Sequence, residues 1–131
     1  MIGIDTNVLL RLWLNDDPAL NKRMDTLLAH ESQAPASVFV TDVVLVEAVW
    51  TLRTVYQQDK AAQVLAVRSL LEETAFALQD RDGITHALAL FEASNCGFSD
   101  CLVVARHQQT ACTQTATFDR AMKKLPGVRL L

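Results

Sequence analysis

The chain has 131 residues, of which half are hydrophobic and 21% are charged, and it contains only four glycines and three prolines. This composition excludes long disordered tails and low-complexity linkers, and the length suits one compact domain that needs no disulfides. The formal net charge of −3 argues against binding nucleic acid through bulk positive charge. A local patch of basic residues is still compatible with this net charge.

Short β-rich segments alternate with segments of helical spacing in the first half of the chain. Asp5 stands at the end of the first β-rich segment, and Thr6 and Asn7 behind it are good helix-capping residues. Asp42 is predicted to cap the helix that carries Glu47 in its second turn. In chain order, the predicted elements are a strand at MIGID, a helix at LLRLWL, a helix over Pro18 to His30, a strand at SVFVT, and helices over Val43 to Gln57 and Asp59 to Glu73.

The second half of the chain continues this alternation. Gly97 separates two helical segments, and Ser99 or Asp100 lies in the first turn of the second one. Asp119 directly follows a β-rich run. The predicted elements are a strand at FALQ, a helix at ITHALALFEAS capped from Asp80 to Asp82, a helix at GFSDCLVVARHQ, a strand at CTQTATF, a short helix at DRAMKK and a final strand at GVRLL.

Strands that alternate with helices predict an α/β fold. We expect a three-layer α/β/α sandwich with a mostly parallel central sheet, formed by residues 1–131 as a single domain. The start of the chain lacks the features of a signal peptide, and no apolar run approaches the roughly 18 residues that cross a bilayer. We therefore expect a soluble, cytoplasmic protein without a membrane partner, and its odd number of cysteines, Cys96, Cys101 and Cys112, as buried thiols.

Four carboxylates stand against apolar sequence near the ends of predicted elements. They are Asp5, Glu47, Asp100 and Asp119. Asp5 and Asp119 follow strands, and ligands of open parallel sheets bind beyond the carboxyl ends of the strands. Carboxylates gathered in a poorly solvated crevice repel one another unless they protonate or bind a cation, and oxygen ligands favour Mg²⁺ or Mn²⁺ over zinc. Such an ion can activate a water, so the four acids predict hydrolysis of a phosphodiester.

A simpler interpretation exists for each of these acids taken alone. Asp100 and Asp119 cap helices in this interpretation, and Asp5 merely ends its strand. Glu47 would point to solvent in the same interpretation. This is its weakest part, because the predicted helix that carries Glu47 is apolar nearly all round.

At these positions the sequence resembles a known family. The segments IDTNVLLR, VEAVWTLR, GFSDCLVVA and ATFDRAMKKLPGV are similar, in the same order, to the motifs of PIN-domain ribonucleases, specifically the VapC toxins of bacterial toxin–antitoxin pairs. The resemblance covers nearly the whole chain. It implies that the same four acids are the metal ligands, and that two polar residues, Asn7 and Thr117, orient them or a bound water.

The resemblance also implies an activity and a set of partners. These are Mg²⁺-dependent endonucleolytic cleavage of RNA, inhibition by a cognate antitoxin whose carboxyl-terminal segment lies across the toxin, and a homodimer. Many relatives carry a further acid at the position of Gly97, so this chain has fewer candidate ligands for a second ion. The number of bound ions therefore stays open.

Two non-catalytic functions remain as alternatives. A receiver-like signalling module has a similar size and an acidic Mg²⁺ pocket, but it needs adjacent acids after its first strand, where this chain has Asp5 followed by Thr6. A toxin-like domain that binds RNA or a partner without cutting it is the other alternative. The sequence contains no P-loop, GxSxG elbow or GxGxxG motif, and its His and Cys spacing does not suit zinc, so the corresponding classes lack their motifs.

Several cationic and aromatic residues each allow two interpretations. Trp13 on the first predicted helix is either a core residue or part of a groove for an antitoxin helix or a dimer face. Arg11 contacts either solvent or an anionic partner. Three clusters of basic residues form either solvated helix faces or a basic rim for RNA. The clusters are Lys22 with Arg23, Arg106 with His107, and Arg120 with Lys123 and Lys124.

Overall fold

The computed structural model describes residues 1–31 and 34–131 of the chain. These residues form two compact units, Met1–Gln79 and Asp80–Leu131, and a single domain over the whole chain stays a prediction. The first unit contains β1 (Ile2–Gly3), α1 (Thr6–Leu14), α2 (Pro18–Glu31), β2 (Val38–Val40), α3 (Asp42–Thr54), α4 (Lys60–Glu72) and β3 (Phe76–Leu78). The second unit contains α5 (Arg81–Ala93), α6 (Phe98–Gln109), β4 (Thr115–Thr117), a 3₁₀ helix (Arg120–Lys124) and β5 (Val128–Leu130).

The strands of the first unit form a parallel sheet in the order β1-β2-β3. β2 is central, because its Val38 pairs with Ile2 of β1 and with Phe76 of β3. Val38 and Val40, which point to the same face of the sheet, are almost fully buried, whereas Phe39 between them is half-buried. The predicted strands are therefore present here, but the paired segments are shorter than the β-rich runs of the sequence.

The cap of α3 lies one residue earlier than the sequence predicts, and the helix ends three residues earlier. Thr41 is the N-cap in place of Asp42, because its Oγ1 accepts a hydrogen bond from the backbone N–H of Val44 at 3.2 Å. The helix ends at Thr54, and Gln57, the predicted last residue, has a φ of 51°. That left-handed conformation cannot continue an α-helix.

The helices α1 and α3 supply much of the core of the first unit. Their buried side chains are Leu9, Leu10, Leu45, Ala48, Val49 and Leu52. Another face of α3 is open, since Val43 is 74% exposed and Trp50 is 53% exposed. α3 is apolar on most of its circumference, as the sequence predicts, but only part of that circumference is buried.

The second unit repeats the same parallel pairing on a smaller scale. β4 and β5 pair with Thr115 opposite Val128 and Thr117 opposite Leu130. α5 and α6 pack on each other, and the rings of Phe91 and Phe98 meet edge to face with their centroids 5.8 Å apart. In each unit, then, the predicted α/β class with parallel strands is confirmed.

The cysteines differ in burial. Cys96 and Cys101 are buried, as predicted, whereas Cys112 is exposed in the connection between α6 and β4. The prediction is wrong for Cys112, because the whole connection around it, residues 110–114, is exposed. Over residues 1–31 and 34–131, none of the helices combines the length and the apolar character that a bilayer span requires.

Candidate metal centre

Asp5 lies two residues beyond β1 and begins α1. Its Oδ1 accepts a hydrogen bond from the backbone N–H of Val8 at 3.1 Å, so Asp5, rather than Thr6 or Asn7, is the N-cap of the helix. The side chain is exposed. The cap holds one carboxylate oxygen in place and leaves Oδ2 outside that hydrogen bond, so capping and metal binding by Asp5 are compatible.

Glu47 projects from the exposed face of α3. Its Oε2 accepts a hydrogen bond from the hydroxyl of Thr6, with 3.0 Å between the two oxygens. The carboxylate is exposed, and it shares a shallow apolar depression with Val43, Val46 and Trp50. The premise that singled out Glu47, a charge inside a buried helix, is thus wrong, but the side chain does have a specific partner.

Thr6 is a site residue that the sequence analysis missed. It is the first residue of α1 and stands next to Asp5, so one helical turn positions both Asp5 and the carboxylate of Glu47. The only sequence signal for this role is the hydroxyl directly after Asp5, because the bonded partner lies 41 residues away in the chain.

The first turn of α1 also favours these two acids electrostatically. The amino-terminal end of a helix carries a partial positive charge, which stabilises anionic groups by roughly 0.3–1 kcal/mol each near the surface. Asp5 caps this end, and Glu47 is hydrogen-bonded to its first residue. The end of α1 therefore partly compensates the negative charges of the two predicted ligands in the first unit, Asp5 and Glu47.

Asn7 is exposed in the same turn of α1. Its side chain occupies the position that the resemblance assigns to a residue orienting an acid or a water. This role stays a prediction.

In the second unit, Asp100 lies in the first turn of α6. It is half-buried, and the N-cap of the helix, Gly97, provides no side-chain hydrogen bond. Asp100 is thus the acidic side chain nearest the positive end of α6, where a carboxylate is favoured. Its predicted place in the first turn is confirmed.

Asp119 begins the 3₁₀ helix two residues after β4. Its Oδ1 accepts a hydrogen bond from the backbone N–H of Ala121 at 2.9 Å. The hydroxyl of Thr117 accepts a hydrogen bond from the backbone N–H of Asp119 at 3.0 Å. Thr117 therefore fixes the backbone that carries Asp119, and the cap again engages one carboxylate oxygen.

The donor chemistry of the four acids fits a hard divalent cation. All of the donors are carboxylate oxygens, which Mg²⁺ and Mn²⁺ prefer. Within either unit, the described residues contain no cluster of three or more His, Cys, Asp or Glu side chains that could hold a metal ion. Asp5 and Glu47 belong to the first unit, and Asp100 and Asp119 belong to the second.

The first unit also contains a groove with a volume of about 670 Å³ and a mainly apolar lining, called the apolar groove below. The lining includes Leu12, Trp13, Leu28, Leu65 and Leu70, together with the polar residues Gln58, Ser69 and Glu73. In the part of the chain that the structure describes, the buried Nε1–H of Trp13 has no hydrogen-bond acceptor. Both interpretations of Trp13 stay open, because the residue lines the groove while its indole nitrogen is buried.

Arg11 serves the fold of the first unit. Its guanidinium pairs with Asp16 and donates a hydrogen bond to the hydroxyl of Tyr56 at 2.8 Å. Only 18% of the Arg11 side chain is exposed. This geometry favours a structural role for Arg11 over a contact with an anionic partner.

The three basic clusters differ in their surroundings. Arg106 forms an ion pair with Asp80 within the second unit. The side chains of the other two clusters, Lys22 with Arg23 and Arg120 with Lys123 and Lys124, are exposed. The second of these exposed clusters directly follows Asp119, so a cationic surface borders one of the predicted acids.

Comparison with known proteins gives the following matches. A family model described as PIN domain matches residues 2–128. A VapC ribonuclease of Aquifex aeolicus is 25% identical over 122 residues, which cover 93% of this chain and 90% of that protein. A solved toxin–antitoxin complex from Klebsiella pneumoniae is matched over 98% of this chain and 96% of that chain, with 17% identity and a TM-score of 0.36.

Proposed function

Because the chain belongs to the PIN-domain family, as its four motifs predicted, we propose that it is a metal-dependent endoribonuclease and the toxin of a toxin–antitoxin pair. It hydrolyses phosphodiester bonds in RNA by means of an activated water. The observation that carries this proposal is the hydrogen bond that ties Glu47 to the turn capped by Asp5, since it brings two carboxylates of distant sequence to one helix end.

The metal-binding residues in this proposal are the four acids. They are Asp5, Glu47, Asp100 and Asp119. Mg²⁺, or Mn²⁺ in its place, would when bound to these acids polarise the phosphate and lower the pKa of the attacking water. The chain itself supplies orientation: α1 holds the carboxylate of Asp5, and the hydroxyl of Thr117 holds the backbone of Asp119.

Asn7 and Thr117 are the orienting residues of the proposal. Thr117 acts through the backbone of Asp119. The amide of Asn7 is exposed beside Asp5, where it can hydrogen-bond to a water or to an RNA phosphate.

The partner in this proposal is an antitoxin that occupies the apolar groove. A bound segment with apolar side chains covers the leucine side chains and the ring of Trp13 that line the groove. Burying this apolar surface contributes about 25 cal/mol per Å² and favours the complex. The VapC resemblance supports, in addition, a homodimer that acts in the cytoplasm.

The decisive experiment measures cleavage of RNA by the purified chain with and without Mg²⁺. Asp5→Asn should abolish cleavage while the fold survives, because asparagine caps helices as well as aspartate does. Asp25→Asn is the matched control, since it removes the same charge from an exposed position on α2. If Asp5→Asn is folded by circular dichroism and still cuts at the wild-type rate, the assignment of Asp5 is wrong. RNA binding without any cleavage by the wild type would favour the non-catalytic alternative.

A further inference from the structure

We propose that Thr6 is a positioning residue of the metal centre, acting through Glu47. This inference rests on the proposed function, because it concerns how one of the metal-binding acids is held. Its basis is the hydrogen bond from Thr6 Oγ1 to Glu47 Oε2, 3.0 Å long, which joins the first turn of α1 to the middle of α3.

The bond restricts a side chain that otherwise has several free torsions. Ordering a glutamate side chain costs up to about 1.5–2 kcal/mol of rotamer entropy, and an exposed glutamate pays this cost when it binds a ligand. Glu47 is exposed, and the Thr6 hydroxyl already holds Oε2. The other oxygen, Oε1, thereby points in one direction before a metal ion binds, so the Glu47 side chain loses less rotamer entropy on binding.

Thr6 is itself well fixed for this purpose. Its branched Cβ restricts χ1, so the hydroxyl has few alternative directions. Its backbone belongs to the helical turn that Asp5 caps. The acceptor of its hydrogen bond is a carboxylate, and hydrogen bonds to an ionised acceptor are stronger than those between neutral groups. The donor of the bond is therefore more rigid than its acceptor, as a positioning role requires.

The spacing between the two acids then follows from helix packing. α1 buries Leu9 and Leu10 and α3 buries Leu45 and Val49, so the two helices are held by a packed core rather than by loops. Thr6 connects the first turn of α1 to the middle of α3, on the side of the acids. A shift of α1 along α3 would therefore change the distance between the carboxylates of Asp5 and Glu47.

The test compares three single variants of the full chain. Thr6→Val removes the hydroxyl and keeps the shape, and Thr6→Ser keeps the hydroxyl. Thr51→Val is the matched control: Thr51 lies one turn along α3 and donates to the backbone carbonyl of Glu47 at 2.8 Å, not to its carboxylate. Mg²⁺ and Mn²⁺ affinity is measured by calorimetry without RNA, kcat and KM are measured on an RNA oligonucleotide, and stability is measured in urea.

Thr6→Val should weaken metal binding and lower kcat by about tenfold, equivalent to about 1.4 kcal/mol, with KM for RNA unchanged. Thr6→Ser should stay within about threefold of the wild type because the bond to Oε2 survives. Thr51→Val should match the wild type in metal affinity and kcat. When Glu47→Gln is already present, Thr6→Val should cause no further loss of metal affinity, because Thr6 acts only through the Glu47 carboxylate.

Metal affinity of Thr6→Val equal to the wild type overturns the inference, and so does an equal loss in the Glu47→Gln background. A loss of urea stability in Thr6→Val with unaltered metal affinity would assign Thr6 to the fold alone. If the wild type binds metal and responds to Thr6→Val but cuts no RNA, the proposed function fails and the role of Thr6 stands. A wild type that binds neither ion overturns both.

Discussion

In the second unit, the guanidinium of Arg106 donates a hydrogen bond to Asp80 Oδ2 at 3.0 Å and so ties the last turn of α6 to the start of α5. The same carboxylate caps α5 and accepts a hydrogen bond from the side-chain amide of Gln109. Gly83 makes this arrangement possible, because a Cβ at that position would lie 2.2 Å from Arg106 Nη1. A backbone position without a side chain thus leaves room for a polar junction between two helices.

Gly83→Ala should disconnect this junction without unfolding the chain. The new methyl group displaces the ends of Arg106 and Gln109, which are flexible, so both lose their bonds to Asp80. Alanine gains up to about 1 kcal/mol over glycine in a helix, and this gain offsets much of the lost bonding. We expect a change in the free energy of unfolding of less than about 1 kcal/mol at neutral pH, measured in urea. A loss several times larger would mean that the backbone of α5, not the side chains, has to move.

Asp80 should make stability fall in acid. Hydrogen bonding from Gln109, and further the backbone N–H of Asp82 and the charge of Arg106, hold the pKa of Asp80 below its ordinary value of 3.8. Because the folded-state pKa is depressed, the ionised form stabilises the fold above the ordinary value, and this stability is lost as pH falls through the folded-state pKa.

The measurement is urea unfolding between about pH 6 and pH 2 for the wild type and Asp80→Asn. Asparagine still caps α5, so the variant isolates the charge. The wild type should lose stability more steeply below about pH 4 than Asp80→Asn does. Parallel pH profiles for the two proteins would show that Asp80 titrates alike in the folded and unfolded states.

RNA affinity should depend on the exposed cluster of Arg120, Lys123 and Lys124. Each phosphate neutralised on single-stranded RNA contributes about 0.7 to the slope of log affinity against log salt, so changing all three to Gln should lower the slope by about 2. Binding is measured by fluorescence anisotropy in EDTA, which prevents cleavage. Changing Lys22 and Arg23 to Gln is the control on α2. An unchanged slope in the triple variant would show that RNA binds to another part of the surface.

Trp13→Phe should weaken the antitoxin complex and spare RNA cleavage. Phenylalanine is smaller than tryptophan, so the variant removes part of the apolar lining that an antitoxin segment covers. Burying one or two fewer methylene-sized groups, at about 0.8 kcal/mol each, predicts a loss of roughly 4- to 15-fold in affinity for the cognate antitoxin. Calorimetry with the purified antitoxin gives this value, and equal affinity for both proteins would show that the antitoxin does not bind in this groove.

The sequence predicted which strands and helices carry the candidate site, but it did not predict which side chains contact one another there. Asp5 and Asp119 do follow strands, because an apolar run that stops at a capping carboxylate has few other local solutions. Thr6 was missed because its partner comes from another helix, and no local pattern encodes that pairing. The predicted cap of α3, Asp42, was one residue too late: Thr41 is the last extended residue before the helix, and its hydroxyl makes the capping hydrogen bond.

Burial was the least predictable property. α3 has apolar residues on most of its circumference, and the sequence gives no sign of which of them stay uncovered. Glu47 was selected as a charge in a buried helix, whereas the exposed Val43 and Trp50 show that it lies on an open face. The residue was identified from a wrong premise, since an apolar neighbour in the sequence need not be a buried neighbour in space.

The two tryptophans of the chain occupy different environments, and this gives the protein an internal optical reporter. Trp13 lines the apolar groove with its indole nitrogen buried, whereas Trp50 is 53% exposed one turn from Glu47. Their emission should therefore be composite, with Trp50 the component that acrylamide quenches first. A ligand that fills the groove perturbs the protected emission and one that covers α3 perturbs the accessible emission, so fluorescence distinguishes two modes of recognition without any label.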